Sequence, residues 1–156
     1  MKLFFATDVH GSEICWKKFI SAAKFYEVDT LILGGDMTGK AIIPIIAQGG
    51  DKYKVTLLEQ ESILEGKEAV DKMVATIQNR GYYPYVTNPD EVNEISTMPG
   101  RQDALFFEQV MATVARWMDY ADTKLAGTGI RCMVCPGNDD VFEIDAAIAA
   151  SKSVRS

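Results

Sequence analysis

Histidine is almost missing from this chain: a single imidazole, His10, serves all 156 residues. Any chemistry that needs several histidines cannot draw them from these residues. Cysteine is scarce too, with three in total, which excludes a disulfide framework and fits a reduced compartment. Two of the three stand in "CMVC", Cys132 to Cys135, the spacing of a redox or zinc pair. The surrounding "IRCMVCPG" reads as a strand, where residues three apart face opposite ways at about 10 Å. No second pair exists to complete a zinc site, so buried structural thiols are expected.

Basic residues are outnumbered 16 to 22, for a net charge of −6. That balance argues against a nucleic-acid surface, which needs a basic stripe. Small phosphate-bearing substrates stay open, because bound cations can reverse a local field. No apolar run reaches the length of a signal-peptide core or a membrane span. The expectations are no membrane partner and a cytoplasmic location. No glycine-rich phosphate loop follows the first strand, which sets aside a nucleotide-binding α/β domain.

What is present suits one core. At 47% hydrophobic, the chain is expected to form a single domain over residues 1–156. "KLFFAT" reads as a buried strand, after which Ser12 can cap a helix carrying Trp16, Phe19, Ile20 and Ala23 on one face. "DTLILGGD" follows as a second apolar strand, so the opening is a βαβ unit with a parallel pair. "AIIPIIAQGGDKYKVTLLEQ" reads as two strands around a Gly-Gly-Asp turn, with Pro44 demoting the first to an edge or a bulge. A helix ending at Gly81, a strand "YYPYVT" and an acidic helical turn complete a middle segment at about 40–100. There Tyr82, Tyr83 and Tyr85 are edge-strand packing residues or, alternatively, a platform for a nucleobase. From Gln102 to Leu125, a long helix presents Phe107, Val110, Met111, Val114, Trp117, Met118, Ala121 and Leu125 on one face. A strand "IRCMVC", the loop "PGNDD" and a last alanine-rich helix ending near Ser151 follow. The fold class is α/β.

Three strands end in polar residues: Asp8 and His10 after the first, Asp36 after "LILGG", and Asn138 after "MVCPG". Residues two apart on a strand share a face, so Asp8 and His10 are expected to aim at one point. Ligands of open α/β sheets collect beyond the carboxyl ends of parallel strands. Two carboxylates, an imidazole and an amide oxygen suit borderline divalent ions such as Mn²⁺, Fe²⁺ or Zn²⁺. Taken singly, each motif is also what a surface turn or a helix cap looks like. It is the ordered set that points to a metal.

D-x-H, then GD, then GN followed by an acidic pair resembles the calcineurin-like metallophosphoesterase family. The resemblance implies a four-layer αββα sandwich, of which this chain would be the N-terminal half, with residues 40–100 as a variable insert. It implies two divalent metal ions, with Asp8 and His10 on the first, Asp36 bridging both and Asn138 on the second. Its activity would be hydrolysis of phosphomonoesters or phosphodiesters by a metal-activated hydroxide attacking phosphorus in line. The substrate would be a small phosphoester.

The chain departs from that pattern at three places. The family's GDxxD is "GDMTGK" here, with Gly39 at the last position. Its GNH is Asn138-Asp139, which puts a carboxyl at the catalytic position of the histidine that normally protonates the leaving group. With a reference pKa of about 4, Asp139 is a poor proton donor at neutral pH. The C-terminal G-H-x-H motif has no counterpart, so metal ligation is incomplete within these residues. A half-fold would leave one sheet face uncovered, which implies a homo-oligomer or a separate C-terminal half. The alternative reading is a non-catalytic metal-binding or interaction module built on a degenerate half-fold.

Overall fold

The short runs Leu3–Ala6 and Thr30–Gly34 are apolar and β-prone, and each ends where polar residues or glycines begin. In the computed structural model, which describes all residues 1–156, they form strands β1 and β2. Between them helix α1, Glu13–Phe25, starts on Ser12, whose hydroxyl accepts the Cys15 N–H. Trp16, Phe19, Ile20 and Ala23 are all buried, as their spacing predicts. After the middle segment come helix α4 (Arg101–Leu125), strand β7 (Arg131–Cys135), helix α5 (Ile144–Ala149) and strand β8 (Val154–Arg155). The sheet order is β1-β2-β7-β8, and every neighbouring pair is parallel.

One face of this sheet carries the main core. Leu31, Leu33, Cys132 and Val134 pack with residues of α1, α4 and α5. Trp16 and Trp117 stack there at 5.0 Å, and the Trp117 indole N–H is satisfied by Glu13 at 2.7 Å. Such a pair adds about 0.5–1.5 kcal/mol beyond its area. The opposite face is open: Leu3, Phe5 and Met133 are 52%, 59% and 42% exposed. Parallel sheets are ordinarily covered on both faces. The two ends of "CMVC" divide between these faces, with Cys132 buried and Cys135 exposed, and no disulfide forms. Burial pushes the Cys132 thiol up to about 12.

Residues 42–87 build a second sheet of their own, with strands β3 (Ile42–Gly49), β4 (Lys52–Leu57), β5 (Gln60–Glu65) and β6 (Tyr83–Thr87). Its order is β5-β4-β3-β6, antiparallel except for the β3–β6 pair. Helix α2, Gly66–Asn79, packs Val70 and Ile77 onto Ile45, Val55 and Leu64 as a small separate core. Helix α3, Pro89–Thr97, begins on Asn88, whose side chain accepts the Glu91 N–H. No helix is long and apolar enough to cross a membrane.

Cys135 is exposed where a buried thiol is expected, and β1 is buried on one face only, since nothing covers Leu3 and Phe5. Four further details differ from the expectations. Strand β5 is additional: it is reached through Leu58 and Glu59, both at positive φ (50° and 66°). Two-residue hairpins need that conformation and usually signal it with Asn-Gly; Leu-Glu gives no such cue. Strand β8 is also additional, too short to carry a period. Pro44 sits in a central strand rather than an edge strand. The Tyr83 N–H donates to Ala41 O, so alternation aims Ile43 and Ile45 at β6 and Pro44 away from it. Pairing of β3 with β4 begins only at Ile45, so the missing N–H faces no partner. Last, Phe107 is 38% exposed, because the first turns of α4 pack through Leu105 and Phe106, the latter edge-on to Tyr83.

Candidate functional site

With β1, β2 and β7 side by side and parallel, their carboxyl ends open at one end of the sheet. The loops leaving β1 and β2 stay joined beyond the strands. Asp8 N–H donates to Gly35 O, His10 N–H to Asp36 O and Gly11 N–H to Met37 O, at 3.3, 2.9 and 2.7 Å. Gly35 N–H in turn donates to Cys135 O on β7 at 2.7 Å. Strand β1 ends at Ala6, so Asp8 and His10 converge through this loop ladder and not through strand alternation. Asp8, His10 and Asp36 have φ of 56°, 42° and 46°. Half of the six non-glycine residues in the left-handed region are thus candidate ligands. That conformation costs on the order of 1–2 kcal/mol per residue.

The side-chain donor atoms of Asp8, His10 and Asp36 lie within 4.8 Å of one another. His10 Nε2 is 3.5 Å from Asp8 Oδ1. His10 Nδ1 is buried without a hydrogen-bond partner, an orphan a cation or a water would satisfy. Thr7 Oγ1 sits 2.6 Å from both Asp8 Oδ2 and Gly34 O, so its one proton can serve either. Two carboxylates beside an imidazole nitrogen make a mixed oxygen and nitrogen donor set that fits a divalent ion.

The loop after β7 closes onto Asp36. Asp139 N–H donates to Asp36 Oδ1 at 3.3 Å. A Cβ on Gly137 would lie 2.2 Å from that same oxygen, so only glycine fits there. Asn138 stands between them, with its amide nitrogen donating to Asp139 Oδ1 at 3.0 Å. Asp139 Oδ2 pairs with Lys40 Nζ at 3.0 Å. The hydrogen bond that Lys40 donates to Asp139, and then the charge of that carboxylate, hold the ammonium above the usual lysine range, with smaller contributions from Asp36 and Asp8.

Several residues that shape the site gave no clear signal in the sequence. Asp140 accepts the N–H groups of Gly137, Met37 and Thr38 and the Thr38 hydroxyl, at 2.8–3.0 Å. Burial opposes its ionisation, but these donors outweigh it and hold the carboxyl below the usual range. Tyr83 is buried, and its hydroxyl accepts the Gly39 N–H at 2.7 Å. Burial pushes that phenol up to about 12. Tyr83 is therefore a strut beneath the site and offers no face to a base. Tyr85 donates to Glu91 at 2.6 Å.

Gly11, Gly39 and Gly81 bring three backbone segments into contact. A Cβ on Gly39 would meet Gly81 O at 2.3 Å, and one on Gly81 would meet His10 O at 2.1 Å. The side chain that GDxxD would place at position 39 has no room here, because the α2–β6 connection occupies it. Compared with family models, curated proteins and solved structures, the chain matches none of them.

Proposed function

We propose that this chain is a metal-dependent phosphoesterase of the calcineurin-like type, carrying the N-terminal half of that family's sandwich. The observation that carries the reading is the convergence of Asp8, His10 and Asp36 donor atoms within 4.8 Å at the carboxyl end of a parallel sheet. Asp8, His10 and Asp36 would hold one ion, with Asp36 shared with a second at Asn138. Bound divalent ions supply Lewis acidity and acidify water at neutral pH. The chain's own part is to keep this end of the sheet ordered. Asp140 ties the loops after β2 and β7 together, and Gly137 lets the second loop close on Asp36. Asp8, Asp36 and Asp139 concentrate negative charge where an anionic ester must bind, so cations are needed before one can enter.

The test is calorimetric titration with Mn²⁺ and Zn²⁺, followed by a panel of aryl and alkyl phosphomonoesters and phosphodiesters with the bound metal. Weak saturable Mn²⁺ binding and metal-dependent release of phosphate are expected. A chain that binds neither ion is not a metallophosphoesterase. A second reading, an interaction module without catalysis, is favoured by the open sheet face bearing Leu3, Phe5 and Met133. Metal binding without turnover on any ester, together with stable self-association, would select it.

A further inference from the structure

Four residues after Asp36, Lys40 is presented from an unusually constrained piece of backbone. Asp140 grips Thr38 from one side, and Gly39 is wedged against Gly81 while donating to Tyr83. Lys40 then faces two ways. Its ammonium meets Asp139 at 3.0 Å beside the carboxylate cluster. Its other flank lines a cleft of about 320 Å³ with Gln102, Asp103 and Phe106 at the start of α4. Small-molecule sites begin at about this size. The Phe106 ring is held edge-on to Tyr83 at 5.6 Å, which fixes that wall of the cleft.

We infer that Lys40 binds a non-bridging oxygen of the substrate's phosphoryl group, and that the cleft beside it receives the organic part of the ester. This rests on the metallophosphoesterase reading. Gln102 and Asp103 favour an organic group with hydrogen-bond donors and no second negative charge, and Phe106 offers it an apolar wall. In the hydrolysis, a bond forms from water oxygen to phosphorus, and the bond from phosphorus to the ester oxygen breaks. The ester oxygen leaves with the electron pair and takes up, through solvent, the proton that the water gives up. Lys40 keeps its protons throughout and acts by charge, drawn from Asp139 to the phosphoryl oxygen when the ester arrives.

The experiment measures inorganic phosphate binding at saturating Mn²⁺, by calorimetry, in wild type, Lys40→Met and Lys40→Arg. Mn²⁺ affinity should change less than about twofold in both variants, because Lys40 is not a ligand. Phosphate affinity should fall by about ten- to a hundredfold in Lys40→Met, the worth of a charge-assisted hydrogen bond. Lys40→Arg should retain most of it. Phe106→Ala should leave phosphate binding intact while raising KM for esters with large organic groups more than for methyl phosphate. Wild-type Mn²⁺ binding with equal phosphate affinity in Lys40→Met overturns the Lys40 assignment alone, and so does metal binding without any phosphate binding. Failure of wild type to bind Mn²⁺ overturns the metal reading and this inference with it.

Discussion

Asp140 accepts two hydrogen bonds from Thr38, from its backbone N–H and its hydroxyl, each at 2.8 Å, across 102 positions of sequence. With the Met37 and Gly137 N–H groups added, one carboxylate fastens both loops that carry Asp36 and Asn138. Asp140→Ala should therefore cost about 2–4 kcal/mol, since hydrogen bonds to charged groups contribute about 1.5–3 kcal/mol each and half-burial tempers the sum. The contribution also has a pH signature. The folded carboxyl lies below its unfolded value, so its stabilisation is complete above about pH 4 and disappears as pH falls through the folded value. Urea denaturation at pH 7 and at pH 3 checks both parts. An alanine variant with the wild-type midpoint at pH 7 would show that the clamp contributes nothing.

On the proposed reading Asp36 would be shared by two ions, and a shared carboxylate cannot be lost without losing both. Asp36→Ala should abolish Mn²⁺ binding at both positions, while His10→Ala should weaken binding without removing every ligand. Calorimetry on the two variants separates the cases. Wild-type Mn²⁺ affinity in Asp36→Ala would remove the site.

Placing an aspartate at position 39, as in the GDxxD pattern that this chain resembles, should do harm. A Cβ there would meet Gly81 O at 2.3 Å, and overpacking costs about 1–3 kcal/mol or more. Gly39→Asp and Gly39→Ala should both lower the thermal midpoint. If either variant melts at the wild-type temperature, the three-glycine crossing is looser than described.

On the proposed metallophosphoesterase reading, Asp139 would stand in place of a proton-donating histidine, and its Oδ2 is already paired with Lys40 at 3.0 Å. Leaving groups should then depart unaided. Aryl phosphates should be hydrolysed about 10²- to 10⁴-fold faster than alkyl phosphates, the range general acid catalysis supplies. Asp139→His should narrow the gap by raising the alkyl rate. Equal rates on both ester types in the unmodified protein would mean that another group donates the proton.

The open sheet face predicts association. Leu3, Phe5 and Met133 are each more than two-fifths exposed on a face that parallel sheets normally cover. A homodimer or larger oligomer is expected by light scattering, and Phe5→Glu with Met133→Glu should shift it toward monomer. A well-behaved wild-type monomer at high concentration would show that this face tolerates water.

Local pattern was enough wherever structure is set by neighbours a few residues away. The spacing of Trp16, Phe19, Ile20 and Ala23 marked α1, Ser12 marked its start, and the apolar runs before Asp8 and Asp36 marked a parallel pair. The three groups of polar residues at strand ends were legible for the same reason: a strand ends where its apolar run does. Chain-distant contacts were not legible. That Asp140 holds Thr38, that Tyr83 supports Gly39, and that Gly81 excludes a side chain from position 39 depend on residues 102, 44 and 42 positions apart meeting within a few ångströms. The left-handed turns of Asp8, His10 and Asp36 belong to that second kind. Local preference disfavours them in non-glycine residues, and only the surrounding hydrogen bonds and packing, which no period in the sequence records, make them the lowest-energy path.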